Sequence, residues 1–404
     1  MSGRRVLYIS YNGIGEPLVR SQVLNYLEGL AGEGYCFTLL TFEKTPLTPA
    51  QASEIRENLA QQNIAWDWLP SHGGLGPLST AVDVRVGRRK VMALGRTQTF
   101  DLIHARSFVP AVIARSVKAR LKIPFVNDIR GFWVDEKVYK GSLAQNSVTY
   151  RFGKALEGWV YGGSDAIVSL TDRGLEEIRR FSCFRGRNLP PLEMIPTCVD
   201  TAAFPWKNRE FHSPLVFGYI GSLGPGYLPE AVFRYFAQAR RHFPGSRLHL
   251  VTRTDPQRLW SLAAANGIPQ EEITLRSVEP KKVAAELDGI DVGLSFIQPH
   301  FAKLASCPTK VGEYLAAGIP VISNAGIGDL DRLIGEGKVG HIVQDFTEAE
   351  FARSLVAIEG LMNDSSVSRR CRQQAEEAFS LVSGVSRYAK LYRQLLEDTR
   401  GYQR

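Results

Sequence analysis

The chain has 404 residues, 44% hydrophobic and 22% charged, with a net charge of +8. That length is too great for one ordinary core, and the composition excludes fibrous and disordered classes, so two α/β domains are expected. The excess charge lies mostly in the first half, because residues 1–200 carry 25 Lys+Arg against 19 Asp+Glu, or +6 of the +8.

The first apolar run, RVLYIS, is too short for the core of a signal peptide and reads as a strand. No stretch approaches the roughly 20 apolar residues needed to cross a bilayer. The expectation is a cytoplasmic protein, soluble or peripheral at the inner face of the membrane. Five scattered cysteines, Cys36, Cys183, Cys198, Cys307 and Cys371, show no zinc or disulfide spacing and read as reduced thiols.

Along the first half, RVLYIS, CFTLLTF, IAWDWL, DLIHARS, IPFVNDI, DAIVSL and LEMIPT alternate with longer segments such as SQVLNYLEGLAGEG. Strands alternating with amphipathic helices predict βαβ units and a parallel sheet. Between strands lies RVGRRKVMALGR, with Arg85, Arg88, Arg89, Lys90 and Arg96 beside Val86, Val91, Met92 and Leu94. Such a segment suits a solvated helix face, or an anionic membrane or acidic partner. With no reader motif and no aromatics between the cations, no nucleic-acid partner is expected.

IPTCVDTAAFPWKNREFHSP lacks period and reads as a connection, placing a boundary near 210. The pattern restarts with LVFGYIGS and runs through SRLHLVT, EITLRS, DVGLSFI and VGHIV. The predicted organisation is a Rossmann-like domain over 1–210, a second over 211–382, and a terminal helix over 383–404 that crosses back to the first domain. Doubly wound α/β sheets take ligands outside the carboxyl ends of their strands, here expected in a cleft between the domains.

Four motifs carry candidate chemistry. In YISYNGIGEP, Gly13 and Gly15 follow a strand, where backbone can approach a phosphate or sugar. A plain tight turn is the alternative, and Leu18 stands where a dinucleotide fingerprint needs a small residue. His104, Arg106 and Ser107 close one strand, while Asn127, Asp128, Arg130 and Gly131 follow another. Either group suits a ligand site, or a satisfied histidine and a loop-closing ion pair. FGYIGSLGPGYLPE offers Gly221 and Ser222 in a second glycine loop. In KLASCPTKVGEYLAAGIP, a helix beginning at Pro308 and Thr309 presents free amides, Lys310 and Val311, which suit a diphosphate. Glu313, one turn on, can accept both hydroxyls of a ribose.

SCPTKVGEYLAAGIPVIS, GIGDLDRLI, VNDIRGFWVDE and YIGSLG resemble the GT-B fold retaining glycosyltransferases of family 4, over essentially the whole chain. The resemblance implies an enzyme that moves a sugar from a nucleotide-diphosphate sugar to a glycan, lipid-linked or small-molecule acceptor. Bacterial surface polysaccharide or glycolipid synthesis is the implied setting, without cofactor or metal. It makes Glu313 the ribose carboxylate, Pro308 to Val311 the helix start facing the diphosphate, and Gly13 and Gly15 the loop near the transferred sugar. Asp128 stands where the family often has an acceptor-side histidine. With His104 it is expected to orient the acceptor, Arg106 and Arg130 lie on the acceptor side, and Lys310 completes the catalytic set.

Two positions depart from the family pattern. The usual first glutamate, eight positions before Glu313, is Ala305. The arginine and lysine usual after the first strand of the second domain are missing from GSLGPGYLPE, so Lys303, Lys310 and Arg253 are the expected replacements. Asp329-Leu330-Asp331 reads as a helix cap rather than a metal site. A catalytically silent binding subunit and a nucleotide-sugar 2-epimerase are the competing readings.

Overall fold

A computed structural model describes residues 3–401 apart from 74, 75, 205, 207, 210, 212, 225, 280 and 281. The expected boundary residue 210, residues 280 and 281 of an expected helix, and residues 402–404 of the terminal helix thus lie outside the described residues. The chain divides into two compact units, Met1–Ile195 with Leu381–Arg404, and Pro196–Ser380. The division falls before 210 because the segment after Ile195 is bonded into unit 2. There the Thr197 hydroxyl donates to the Cys307 carbonyl, and the Val199 amide to the Phe379 carbonyl, each at 2.8 Å.

In unit 1, β1 (Arg4–Ser10), β2 (Tyr35–Glu43), β3 (Ile64–Pro70), β4 (Leu102–Arg106), β5 (Phe125–Ile129), β6 (Ala166–Ser169) and β7 (Leu192–Met194) form one sheet. Its order is β3-β2-β1-β4-β5-β6-β7, and every pair is parallel. Both faces are covered, so strands such as Val6–Ile9 are continuously apolar and buried rather than alternating. The order reverses between β1 and β4, which brings Ser10 and Arg106 side by side at the edge where such sheets take ligands.

The terminal helix, Leu381–Gly401, belongs to unit 1. Tyr388, Ala389, Tyr392 and Leu395 lie on its buried side, as the helical period predicts. It packs on helix Asn25–Gly32 at Gly29, where a Cβ would stand 2.6 Å from Val385 Cγ2. Only glycine permits that approach. The Arg387 guanidinium fastens the helix to the Met194 carbonyl at 2.7 Å. The basic segment lies in helix Pro77–Thr97. Gly87 and Val91 turn inward, while Leu78, Val82, Arg85, Arg89 and Arg96 are exposed.

Unit 2 repeats the design. Strands β8 (Val216–Ile220), β9 (Arg247–Val251), β10 (Ile273–Arg276), β11 (Val292–Ser295), β12 (Val321–Asn324) and β13 (Gly340–Val343) form a parallel sheet of order β10-β9-β8-β11-β12-β13. One apolar cluster contains Phe217, Tyr235, Phe236, Phe296 and Phe351, and another contains Val311, Tyr314, Leu315 and Ile319. The reversal here lies between β8 and β11.

Candidate active site

In unit 2, helix Thr309–Ala316 starts without a side-chain cap, and Pro308 stands at its N-cap. The Val311 amide, expected to face a diphosphate, donates to the Pro308 carbonyl at 3.1 Å, and the first turn as a whole gives that end partial positive charge. The helix is anchored by Tyr314, whose hydroxyl accepts from the Ile220 amide at 2.9 Å and donates to the Gly218 carbonyl at 3.0 Å. Gly293 of β11 admits that ring, since a Cβ there would lie 2.5 Å from Tyr314 Cδ2. Anchoring the helix to the end of β8 sets the position of Lys310.

Lys310 is only 6% exposed, and its ammonium has no hydrogen-bond partner among the described residues. Nζ lies 3.6 Å from the centroid of the Tyr219 ring and 4.4 Å from that of Tyr227. Two aromatic faces offset part of the desolvation of a buried cation, by about 2 kcal/mol each. They provide no counter-charge. Gly221, at φ +99°, passes beside the lysine, and a Cβ there would stand 3.8 Å from Nζ. Burial holds the ammonium well below its usual pKa, opposed by Glu313. Glu313 is half-buried, and burial pushes its carboxyl up to about 7 against the pull of Lys310. Among the described residues the pair forms a polar site with no hydrogen-bond partner on the ammonium and no side-chain or backbone donor on the carboxylate.

The remaining unit 2 residues have other local duties. Gly312 is a packing residue, because a Cβ there would meet Val199 at 3.2 Å and Phe379 at 3.3 Å. In the second glycine loop, the amides of Gly221, Leu223 and Gly224 donate to Val251 O, Thr254 Oγ1 and Ser222 Oγ. The loop therefore offers conformation rather than those amides. Arg253 is exposed just beyond β9. Lys303 is half-buried in the turn Phe301–Ala305, and Ala305 is fully buried. Asp331 accepts from the Gly326 amide at 3.2 Å, and Asp329 lies 3.8 Å from Arg332. Among the described residues, no group of three His, Cys, Asp or Glu side chains could hold a metal ion.

In unit 1, register aligns Ser10, Arg106 and Asp128 across β1, β4 and β5. His104 is 1% exposed and stacks on Tyr8 at 4.3 Å. Its Nδ1 meets the Tyr392 hydroxyl at 2.6 Å, and its Nε2 meets Asp128 Oδ2 at 3.3 Å. Both ring nitrogens are engaged, so His104 is placed to hold Asp128 rather than to line a ligand surface. Arg130 Nη1 meets Asp128 Oδ1 at 3.4 Å, and Nη2 meets Gln22 at 3.4 Å. Burial alone would raise the Asp128 pKa, but Arg130, His104 and Arg106 together hold it well below the carboxylate range.

The first glycine loop is held by the chain's own carboxylates. The Gly13 amide donates to Glu16 at 3.0 Å and the Ile14 amide to Glu43 at 2.9 Å. A Cβ at Gly13 would stand 2.5 Å from Glu43 Oε2, so that glycine is required by packing, whereas Gly15 faces open space. Sequence reading missed Tyr219, Tyr227, Tyr314 and Gly293 around Lys310, and Tyr8 and Tyr392 around His104. Tyr219 in FGYIGS carried a weak signal as a strand-end aromatic. Tyr392, 288 positions from His104, carried none.

Residues 19–190 match the model of a glycosyl transferase 4-like domain, and residues 200–378 that of glycosyl transferases group 1. No curated protein matches the chain. Among solved structures, the chain resembles sucrose-phosphate synthase from Thermosynechococcus elongatus at a TM-score of 0.71 and 15% identity, over 98% of this chain and 100% of that one. It resembles HepE of Anabaena, solved with UDP and glucose, at a TM-score of 0.68 and 14% identity, over 97% and 100% of the two chains. At such identities the likeness speaks for the GT-B fold. With two family models matched in tandem on two Rossmann-like units, the chain belongs to the group 1, family 4 glycosyltransferases.

Proposed function

We propose that the protein transfers a sugar from a nucleotide-diphosphate sugar, held by unit 2, to a glycan, lipid-linked or small-molecule acceptor, held by unit 1. One observation carries this reading: Lys310, whose buried Nζ has no hydrogen-bond partner among the described residues, stands at an uncapped helix start one turn before Glu313. A donor diphosphate supplies the missing anion, and its ribose hydroxyls supply donors to Glu313. HepE, of the same fold, has been solved with UDP-glucose, which fits such a donor.

Transfer proceeds with retention. The bond from the anomeric carbon to the diphosphate breaks, the acceptor oxygen bonds to the same face, and its proton passes to the departing phosphate. Charge on that leaving group is met by the buried Lys310 and the first-turn amides, which are held in place before the reaction. No metal is required for this neutralisation. Incubation with a panel of nucleotide sugars, read by NMR of the product anomer, tests the reading. Retained configuration and full activity in EDTA are expected; an inverted product or loss of turnover on chelation would overturn those points.

The setting we propose is bacterial surface polysaccharide or glycolipid synthesis, at the cytoplasmic face of the membrane. Helix Pro77–Thr97 supports this, since Leu78 and Val82 are exposed beside Arg85 and Arg89. Such a face suits an anionic lipid surface. Flotation with phosphatidylglycerol vesicles is expected to carry the protein up at low salt and to release it at high salt. Absence from the floated fraction at low salt would sink the membrane contact.

A further inference from the structure

The buried charge at the carboxyl ends of β4 and β5 does not balance. Arg106 and Arg130 are both cationic, and Asp128 is the carboxylate between them. Its two oxygens are already shared, Oδ1 with Arg130 and Oδ2 with His104. His104 does not alter the sum as a cation, because burial lowers its pKa. Tyr8 and Tyr388, which face the cluster from β1 and the terminal helix, are kept neutral because burial raises their phenols. Of the carboxylates around the first loop, Glu16 is ion-paired with Lys44 and Glu43 is hydrogen bonded to the Ile14 amide and the Thr41 hydroxyl, so neither is paired with an arginine of the cluster. Among the described residues, one guanidinium charge is left without an ion-pair partner.

That charge resides on Arg106. The side chain is 3% exposed, its Nε is buried without a partner, and its one hydrogen bond among the described residues runs from Nη1 to Asn12 Oδ1 at 3.5 Å. An unpaired guanidinium in a protein interior is costly, and a carboxylate or phosphate that binds it removes the cost. Its place adds to the argument. Arg106 ends β4 at the reversal of strand order, where doubly wound sheets take ligands. The next residue, Ser107, is held at φ +79°, a conformation unusual for serine, at the uncapped start of the 14-residue helix Phe108–Leu121.

We propose that Arg106 binds a phosphate group carried by the acceptor, so that the acceptor is a phosphorylated sugar or an isoprenyl-diphosphate-linked sugar. This rests on unit 1 being the acceptor side. Arg130 is committed to Asp128 and fixes the floor of the subsite. The acceptor phosphate meets the free edge of the Arg106 guanidinium, a charge-assisted contact that places the acceptor hydroxyl without taking part in the transfer.

Calorimetry with inorganic phosphate tests the site apart from the transfer reaction. The experiment uses Lys310→Ala as background, so that the diphosphate site of unit 2 does not contribute. Lys310→Ala should still bind phosphate. Lys310→Ala with Arg106→Gln should bind at least about tenfold more weakly, and Arg106→Lys should restore part of the affinity. Equal binding by the Arg106→Gln protein, or none in the Lys310→Ala background, would overturn the proposal.

Thermal unfolding without ligand provides a second readout. Removing an uncompensated buried charge predicts that Arg106→Gln melts no lower than the parent, whereas a structural arginine predicts a fall. Glucose 1-phosphate and farnesyl diphosphate then separate the two sources. The one whose binding depends on Arg106 names the acceptor class, and dependence in neither would reject the assignment. Because none of these measurements requires turnover, a failure here is distinct from a failure of the transferase reading.

Discussion

Lys310→Ala is expected to lower kcat by about a hundredfold, with a smaller change in donor KM, because the lysine acts mainly on charge that grows as the diphosphate departs. The wild-type side chain is already desolvated and its Nζ has no hydrogen-bond partner among the described residues, so a diphosphate would favour its charged form and receive its interaction undivided. Lys310→Met should keep the apolar stem between Tyr219 and Tyr227 and fold normally, yet be equally slow. Lys310→Arg should not rescue, since a planar fork is poorly accommodated where a compact ammonium sits between two rings. Steady-state kinetics on the preferred nucleotide sugar decide the matter. A loss of kcat under about twofold for Lys310→Met would remove Lys310 from the leaving-group site.

Glu313→Ala should instead raise donor KM, by about tenfold to a hundredfold, with kcat less affected. A carboxylate accepting two ribose hydroxyls contributes alike in ground state and transition state, and hydrogen bonds to charged groups are worth about 1.5–3 kcal/mol. The residue also predicts a pH effect on the unliganded protein. Its carboxyl is raised from 4.5 to about 7, so the native state holds a proton that the unfolded chain releases. Stability from this group is complete below pH 4.5 and declines as pH rises towards 7. Lys310 acts oppositely, because its folded pKa lies below 10.5: stability rises with pH from that folded pKa up to 10.5, where the unfolded chain still holds the proton that the native state has lost. Glu313→Gln should abolish the decline between pH 4.5 and 7, measured by urea unfolding. An unchanged pH dependence in that variant would show that Glu313 is not the titrating group.

Which parts of this site were legible beforehand follows from how each part is specified. The helix start at Thr309 and the spacing of Lys310 and Glu313 are local features, dependent on a few adjacent residues and the helical repeat. The strands of both sheets were legible for the same reason, as were the inward residues of the terminal helix. Gly13 and Gly312 were legible as glycines but not as to purpose. Their neighbours, Glu43 in one case and Val199 with Phe379 in the other, come from distant segments. The division of the chain near Ile195 rather than 210 depends on bonds from Thr197 and Val199 to residues more than a hundred positions away, which no local pattern encodes.

Periodic apolar runs, punctuated by glycine and proline, were therefore enough to establish two Rossmann-like units and the residue types at their strand ends, because burial imposes those patterns on neighbouring residues. Folding decided which charges meet. It satisfied His104 with Tyr392 from the other end of the chain, left Lys310 between two aromatic rings, and left Arg106 with one weak bond among the described residues. Whether an ionisable side chain is compensated depends on every element packed around it. That sum exists only once the sheets have brought their strand ends together.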